Sequence, residues 1–284
     1  MSTVLFDTPG PRARRRTTIW SIVAGVVLAA LVALAAARLA QRGIFDADRW
    51  DIFTESTESW DALLRRGLGA TLRAAGVAAL ISLTAGSLLA VARMSSSPWV
   101  RVPAAVGIEL FRGLPVLLLI LFTALGFGSS IFTAVVIGLS LYNTAVIAEI
   151  LRAGIQSLPG GQREAALAIG LSPGQTLRMI LLPQAVRRML PSLVSQLVVL
   201  LKDTSLGFVV GYAELLRTSR ELRDFFGSRY IFSIFVVTAA IYIGVNYALS
   251  RFATYLEKRG TTKASGGVTP IEPAAGLQQG AGVT

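Results

Sequence analysis

Apolar residues fall in six runs along the chain, at about 18–37, 67–92, 102–127, 129–148, 191–212 and 229–249. Each reaches the ~20 residues that a helix needs to cross roughly 30 Å of hydrocarbon. The short alternating strands of a membrane barrel are missing from the pattern. It therefore predicts an all-α integral membrane protein with six transmembrane helices. The second run is rich in Gly, Ala, Ser and Thr, which lets helices approach closely. In the third, Pro115 lacks a backbone N–H and predicts a kink, and Gly126 and Gly128 mark the turn into the fourth.

The polar segments divide the chain. Residues 1–18 form a basic tail containing Arg12, Arg14, Arg15 and Arg16, and 19–40 carry the first helix. A basic start before an Ala-rich apolar run also suits a signal peptide. The run is long for one, however, and Arg38 follows it where a small-residue cleavage site would stand. Residues 41–66 read as an outer linker in which Trp50 and Trp60 suit a membrane interface. The main helical domain spans 67–256, with an inner loop at 157–190 and a mixed-charge outer segment at 213–228. Residues 257–284 are Gly-, Ala- and Thr-rich for the most part and predict a disordered tail.

The inner loop carries the clearest local code. Residues 160–169, good helix formers after Gln162, predict a first helix, and Gly170 stands where a left-handed residue ends it. Ser172, Pro173 and Gln175 then spell a capping box with proline at the first helical position. Leu177, Ile180 and Leu181 share one face, and Pro183 is expected to break the run. The loop is thus a helix–turn–helix elbow. Its first arm, with Ala165, Ala166 and Ala168, is slim enough to dock into a groove on a partner, and Glu164 can accept from the free amides near the start of that helix or pair with a basic group on the partner.

Composition narrows the chemistry. There is no Cys and no His among 284 residues, which removes disulfides, thiol nucleophiles, Cys/His metal sites and histidine acid–base catalysis. No G-x-x-x-x-G-K-[ST] run is present, so ATP would have to be bound by another subunit. No catalytic residues, cofactor or metal site are expected. The net charge of +11 reads as a membrane effect and not as nucleic-acid binding, because Lys and Arg collect on the cytoplasmic side. Most of the 27 Lys and Arg residues lie in the tails, the first inner loop and the elbow loop. That bias places both termini and the elbow in the cytoplasm.

Polar groups inside spans mark candidate transport residues, because they are costly in lipid. Arg112 lies three residues from Glu109, close enough to pair. Tyr142 and Asn143 offer neutral donors and acceptors in the fourth span. Lys202, Asp203, Thr204 and Ser205 lie near the middle of the fifth, where a locally unwound point would shape a path. Arg73, near the outer end of the second, is expected to snorkel.

The elbow pattern, E-A-A-x3-G-x9-I-x-L-P, matches Glu164, Ala165, Ala166, Gly170, Ile180, Leu182 and Pro183. It resembles the EAA loop of ABC importer permeases, which inserts into the cleft of the ATPase subunit. Segments 111–115, 148–159, 200–206 and 214–217 resemble the permeases of polar amino acid importers, so the likeness covers roughly 67–256. Residues 3–12 resemble actinobacterial glutamate permeases. The resemblance implies a type I importer core of five helices, here with one added at the N-terminus. It also implies an ABC ATPase dimer, a second permease subunit (a related heterodimer partner), an extracytoplasmic solute-binding protein and a location in the cytoplasmic membrane among its lipids. Two departures stand out: Gly160-Gly161 replaces the more usual Lys-Gly, and Leu114 stands where Thr is frequent.

Two other readings compete. An ion- or proton-coupled secondary transporter would use Lys202, Asp203 and Arg112 as a charge relay. Such proteins carry internal repeats and more spans, and the elbow would serve no purpose in one. A membrane scaffold would tolerate neutralisation of the intramembrane charges.

Overall fold

A computed structural model describes residues 10–262, and among these every regular element is helical. Helix α1 (Pro11–Gln41) opens with proline at its first turn and runs through the arginine cluster into the apolar stretch, with no buried residue along its length. Short turns at Ala47–Arg49 and Asp51–Thr54 lead into α2 (Thr57–Arg93). Next come α3 (Pro98–Gly113), α4 (Val116–Gly126) and α5 (Ile131–Gln156). The elbow arm α6 (Gly160–Ala168) is followed by α7 (Pro173–Val210), then α8 (Leu215–Phe226) and α9 (Ile231–Thr262).

Helix α5 stands at the centre, touched by α2, α3, α4 and α7. Small residues explain how. Ala74, Ala78, Ser82, Gly86 and Ala90 recur at every fourth position of α2, all buried, and form one slim stripe along the helix. Without a hydrophobic drive between helices in lipid, close backbone approach and dispersion hold such a pair together. Gly138 of α5 performs the same office against α4: a Cβ there would lie 2.7 Å from the backbone of Ile120. Around these contacts one cluster gathers Ile120, Val135, Leu139, Leu200 and Leu201, and a second, toward the elbow, gathers Ile108, Ile147, Leu151 and Leu193. A third joins Ile52, Leu63, Leu215, Leu222 and Ile234 at the opposite end.

The structure departs from the sequence reading in several places. The third span is two helices bent by 99° at Leu114–Pro115, not one kinked helix. Pro115 caps α4 and Leu114 is extended, as the residue before a proline prefers. The linker at 41–66 is largely helical, and α2 begins at Thr57, ahead of Gly67. Pro183 does not end the elbow's second arm. The preceding turn, Thr176–Leu181, is widened into a π-turn, and the helix continues through Pro183 and Pro191. A widened turn displaces the carbonyls with which a proline ring would otherwise clash. The fourth span runs on to Gln156, and the segment at 213–228 contains a regular helix. The last helix extends past Leu249 to Thr262, while the rest of the expected disordered tail and the basic start before residue 10 lie outside the described residues.

Candidate functional site

The elbow is locked by its own backbone. Gly170 adopts φ +87°, its N–H donates to the Leu167 carbonyl (3.0 Å), and the Leu171 N–H donates to that of Ala166 (3.2 Å). These two bonds form a Schellman motif, which satisfies the last carbonyls of α6. Beyond it, the Gln175 N–H donates to the Ser172 hydroxyl (3.3 Å) and the Ser172 N–H to Gln175 Oε1 (2.8 Å), closing the capping box. Leu177 and Leu181 pack with Ile155 and Ala185, so the second arm is fixed to the end of α5. Gln184 donates to Gln162 (3.3 Å) across the two arms.

Of the motif residues, Glu164, Ala165, Gly170 and Pro183 are exposed and Ile180 and Leu182 half-buried. Ala166 is a correction: the sequence places it on a docking surface, but it is buried at 4% exposure. α6 packs on the Thr176–Leu181 turn, and a larger side chain at 166 would wedge the arms apart. The large apolar side chains that face outward most are Ile169 (78% exposed) and Met179 (63%). Sequence reasoning passed over both. The available signal was an isoleucine standing beside the glycine that ends a polar helix.

At the same end of the bundle two ion pairs meet. Arg112 donates to Glu109 (2.5 Å), and Arg152 grips Glu149 through two nitrogens (2.5 and 2.8 Å) while also donating to Gln156 (2.7 Å). The charges of Arg112 and Arg93 act on Glu149, and that of Glu109 acts on Arg152. Arg112 is therefore paired within α3, and its charge reaches Glu149 of α5. No hydrogen bond or ion pair among the described residues joins it to 202–205.

Residues 202–205 lie where α7 tightens from an α-helix into 3-10 turns over Thr204–Val210, toward its end and not midway along a regular helix. Lys202 is exposed. The Thr204 and Ser205 hydroxyls donate back to the carbonyls of Leu201 (2.6 Å) and Lys202 (2.8 Å). Asp203 is half-buried, and among the described residues its carboxylate has no hydrogen bond or ion pair. Asn143 is fully buried; it donates to the Leu139 carbonyl and accepts from Gln196 (both 2.8 Å), bridging α5 to α7 instead of facing a path. Tyr142 is half-buried beside it. Arg73 does not merely snorkel, since its guanidinium lies 4.9 Å from the Phe132 ring centroid.

At the far end, Glu214 is wholly buried. It caps α8 by accepting from the Leu216 and Arg217 amides, and it accepts from the Tyr242 hydroxyl (each 2.8 Å). Beside it the Leu215 N–H donates to Thr71 (3.1 Å), so α2, α8 and α9 are clasped at one point. Burial pushes the Glu214 carboxyl above the ordinary glutamate value, against the pull of the Leu216 amide, the Tyr242 hydroxyl and the Arg217 amide.

Comparison with known proteins fits this geometry. Residues 82–261 match the family described as binding-protein-dependent transport system inner membrane component. The glutamate transport system permease protein GluD of Corynebacterium glutamicum is 42% identical over 229 residues, covering 78% of this chain and 83% of its own. The probable glutamine ABC transporter permease protein GlnP of Bacillus subtilis is 38% identical over 208 residues, covering 71% and 93%. A solved amino acid ABC transporter with histidines superposes with a TM-score of 0.64 at 32% identity, covering 72% of this chain and 97% of the other.

Proposed function

The chain belongs to the family of binding-protein-dependent transport system inner membrane components, and from that premise we propose that it is the permease of an ATP-driven importer for a polar amino acid, with glutamate as cargo. It is a transport subunit and not an enzyme; ATP hydrolysis belongs to a separate ATPase subunit. The observation that carries the proposal is the doubly capped elbow, which presents Glu164, Ala165, Ile169 and Met179 outward from a base fixed to α5.

In this reading the elbow lies in the cytoplasm, as do both termini, and seats in a groove of the ATPase dimer. Because Gly170 and the capping box leave the turn no slack, closure of the ATPases moves the elbow as a lever. Glu164, Ala165, Gly170, Ile180, Leu182 and Pro183 form that lever, and buried Ala166 lets its arms close. The α5 and α7 ends to which it is fixed follow, and the bundle passes between inward- and outward-facing arrangements. The unpaired Asp203, with Lys202, Ser205 and Tyr142, lines the path, and Arg112, Asn143 and Thr204, the last two wholly buried, hold its walls. A second permease completes the path, and a solute-binding protein delivers the amino acid from outside. Glutamate is supported by the likeness to a glutamate permease.

Purification from the native membrane in mild detergent, with every co-purifying protein identified by mass spectrometry, tests the reading. An ATPase, a second permease and a binding protein are expected, and titration of that binding protein with glutamate and glutamine should show tighter binding of glutamate. Recovery of the chain with no ATPase under any gentle condition would overturn the importer, and a binding protein that prefers glutamine would overturn the cargo alone.

A further inference from the structure

Between the two elbow arms and the ends of α2 and α5 lies an open cavity of about 570 Å³, within the range of small-molecule sites. Its floor is apolar, built from Val91, Met94, Ile155, Leu177 and Leu181, while Arg163 and Arg178 stand at its wall. Among the described residues neither guanidinium has an ion-pair partner. Thr176 also lines the cavity; it is 1% exposed, and its Oγ1 has no hydrogen-bond partner. At the rim, Gly160 opens α6, and no atom lies within 4 Å of where its Cβ would be.

Unpaired arginines above an apolar floor call for an anion attached to an apolar body, because the planar fork of arginine suits phosphate oxygens. No Asp or Glu lines the cavity. A zwitterion such as an amino acid would find no partner for its ammonium group there. The apolar spans of α2 and α5 end at Arg93 and Gln156, beside the lining residues Met94 and Ile155. That places the cavity at headgroup depth. We infer that it binds the phosphate of an anionic phospholipid from the adjoining leaflet, with the first part of an acyl chain on the apolar floor. The inference rests on the importer reading only for which leaflet this is.

The test uses the purified full-length chain in vesicles of phosphatidylcholine, with and without phosphatidylglycerol, and counts bound phosphatidylglycerol by native mass spectrometry. At about fivefold for each arginine near a membrane surface, Arg163→Gln with Arg178→Gln should weaken its retention roughly thirtyfold. A control pair outside the cavity, Arg101→Gln with Arg187→Gln, should leave retention near that of the parent. Thr176→Val, which keeps the shape and removes the hydroxyl, should weaken it less than the arginine pair. Equal loss in the control pair would overturn the site, since general attraction of basic surface for anionic lipid would then suffice. Displacement by inorganic phosphate, with no preference for phosphatidylglycerol, would keep the phosphate pocket and overturn the lipid as its source. Loss of a co-purifying ATPase in the arginine pair, with lipid retention unchanged, would assign the arginines to that partner. Because lipid is counted on the chain itself, failure of the importer reading leaves this measurement intact.

Discussion

Gly138 shows how much one missing side chain can decide. Ile120 occupies the place where a Cβ would be, and it does so with backbone atoms that cannot turn aside. Gly138→Ala should therefore cost about 1–3 kcal/mol by overpacking, read as a lower thermal unfolding temperature in detergent; an unchanged temperature would mean that α4 slides freely. Glu214 makes a different prediction. Its carboxyl holds the proton more tightly in the folded chain than in the unfolded one, because burial outweighs its hydrogen bonds. Such a group adds stability below its unfolded pKa, and the addition is lost as pH rises through the folded value. Unfolding temperature should fall across that window, and Glu214→Gln, which cannot titrate, should lose that part of the slope. An equal slope in both proteins would assign the effect elsewhere. Neither role could be read from the residues alone. A glycine in a Gly- and Ala-rich span looks like any other, and Glu214 sits in a segment whose many charges suggest solvent.

The elbow was the most legible element, because helix ends are written in local chemistry: Gly170, Ser172 and Gln175 act on neighbours a few positions away. Its outward surface was not legible, since that depends on how two arms fold together, and Ala166 and Ile169 exchanged the roles their residue types suggest. Ile169→Asp should disable docking while leaving the elbow folded. The charge replaces a side chain that contributes roughly 1.5–3 kcal/mol when buried, so stimulated ATP hydrolysis should fall at least about tenfold. ATP hydrolysis at the parent rate would sink the docking surface. Ser172→Ala, by contrast, should remove about 1 kcal/mol of capping and loosen the lever without emptying the groove. Prolines misled where a neighbouring turn absorbed them: Pro183 follows a widened turn and Pro191 lies within a continuing helix, whereas Pro115 marks a true break. Helix α8 escaped notice because its buried face, Leu215, Thr218, Ser219 and Leu222, is half polar and interleaved with arginine and acid.

At the scale of the molecule the apolar runs disclosed the fold class, while the centrality of α5 emerged only from contacts far apart in sequence. Helix α1 contributes none of the core, as no residue of it is buried. A chain beginning at residue 42 should keep the core stability of the parent to within about 0.5 kcal/mol, checked by thermal unfolding; a larger loss would mean that α1 packs on the bundle after all. The bend at Leu114–Pro115 bears on a property that no single contact carries, the parity of the crossings. With α3 and α4 counted as one passage, six segments among the described residues are long and apolar enough to cross a membrane, and in the proposed topology that even number keeps both ends on one face. Were α4 to fold back to the side on which α3 begins, the count would become odd, and every later segment would exchange faces. The elbow would then stand outside the cell, where there is no ATPase to grip it. In the proposed topology, one extended leucine before one proline thus decides on which side of the membrane the second half of the chain works.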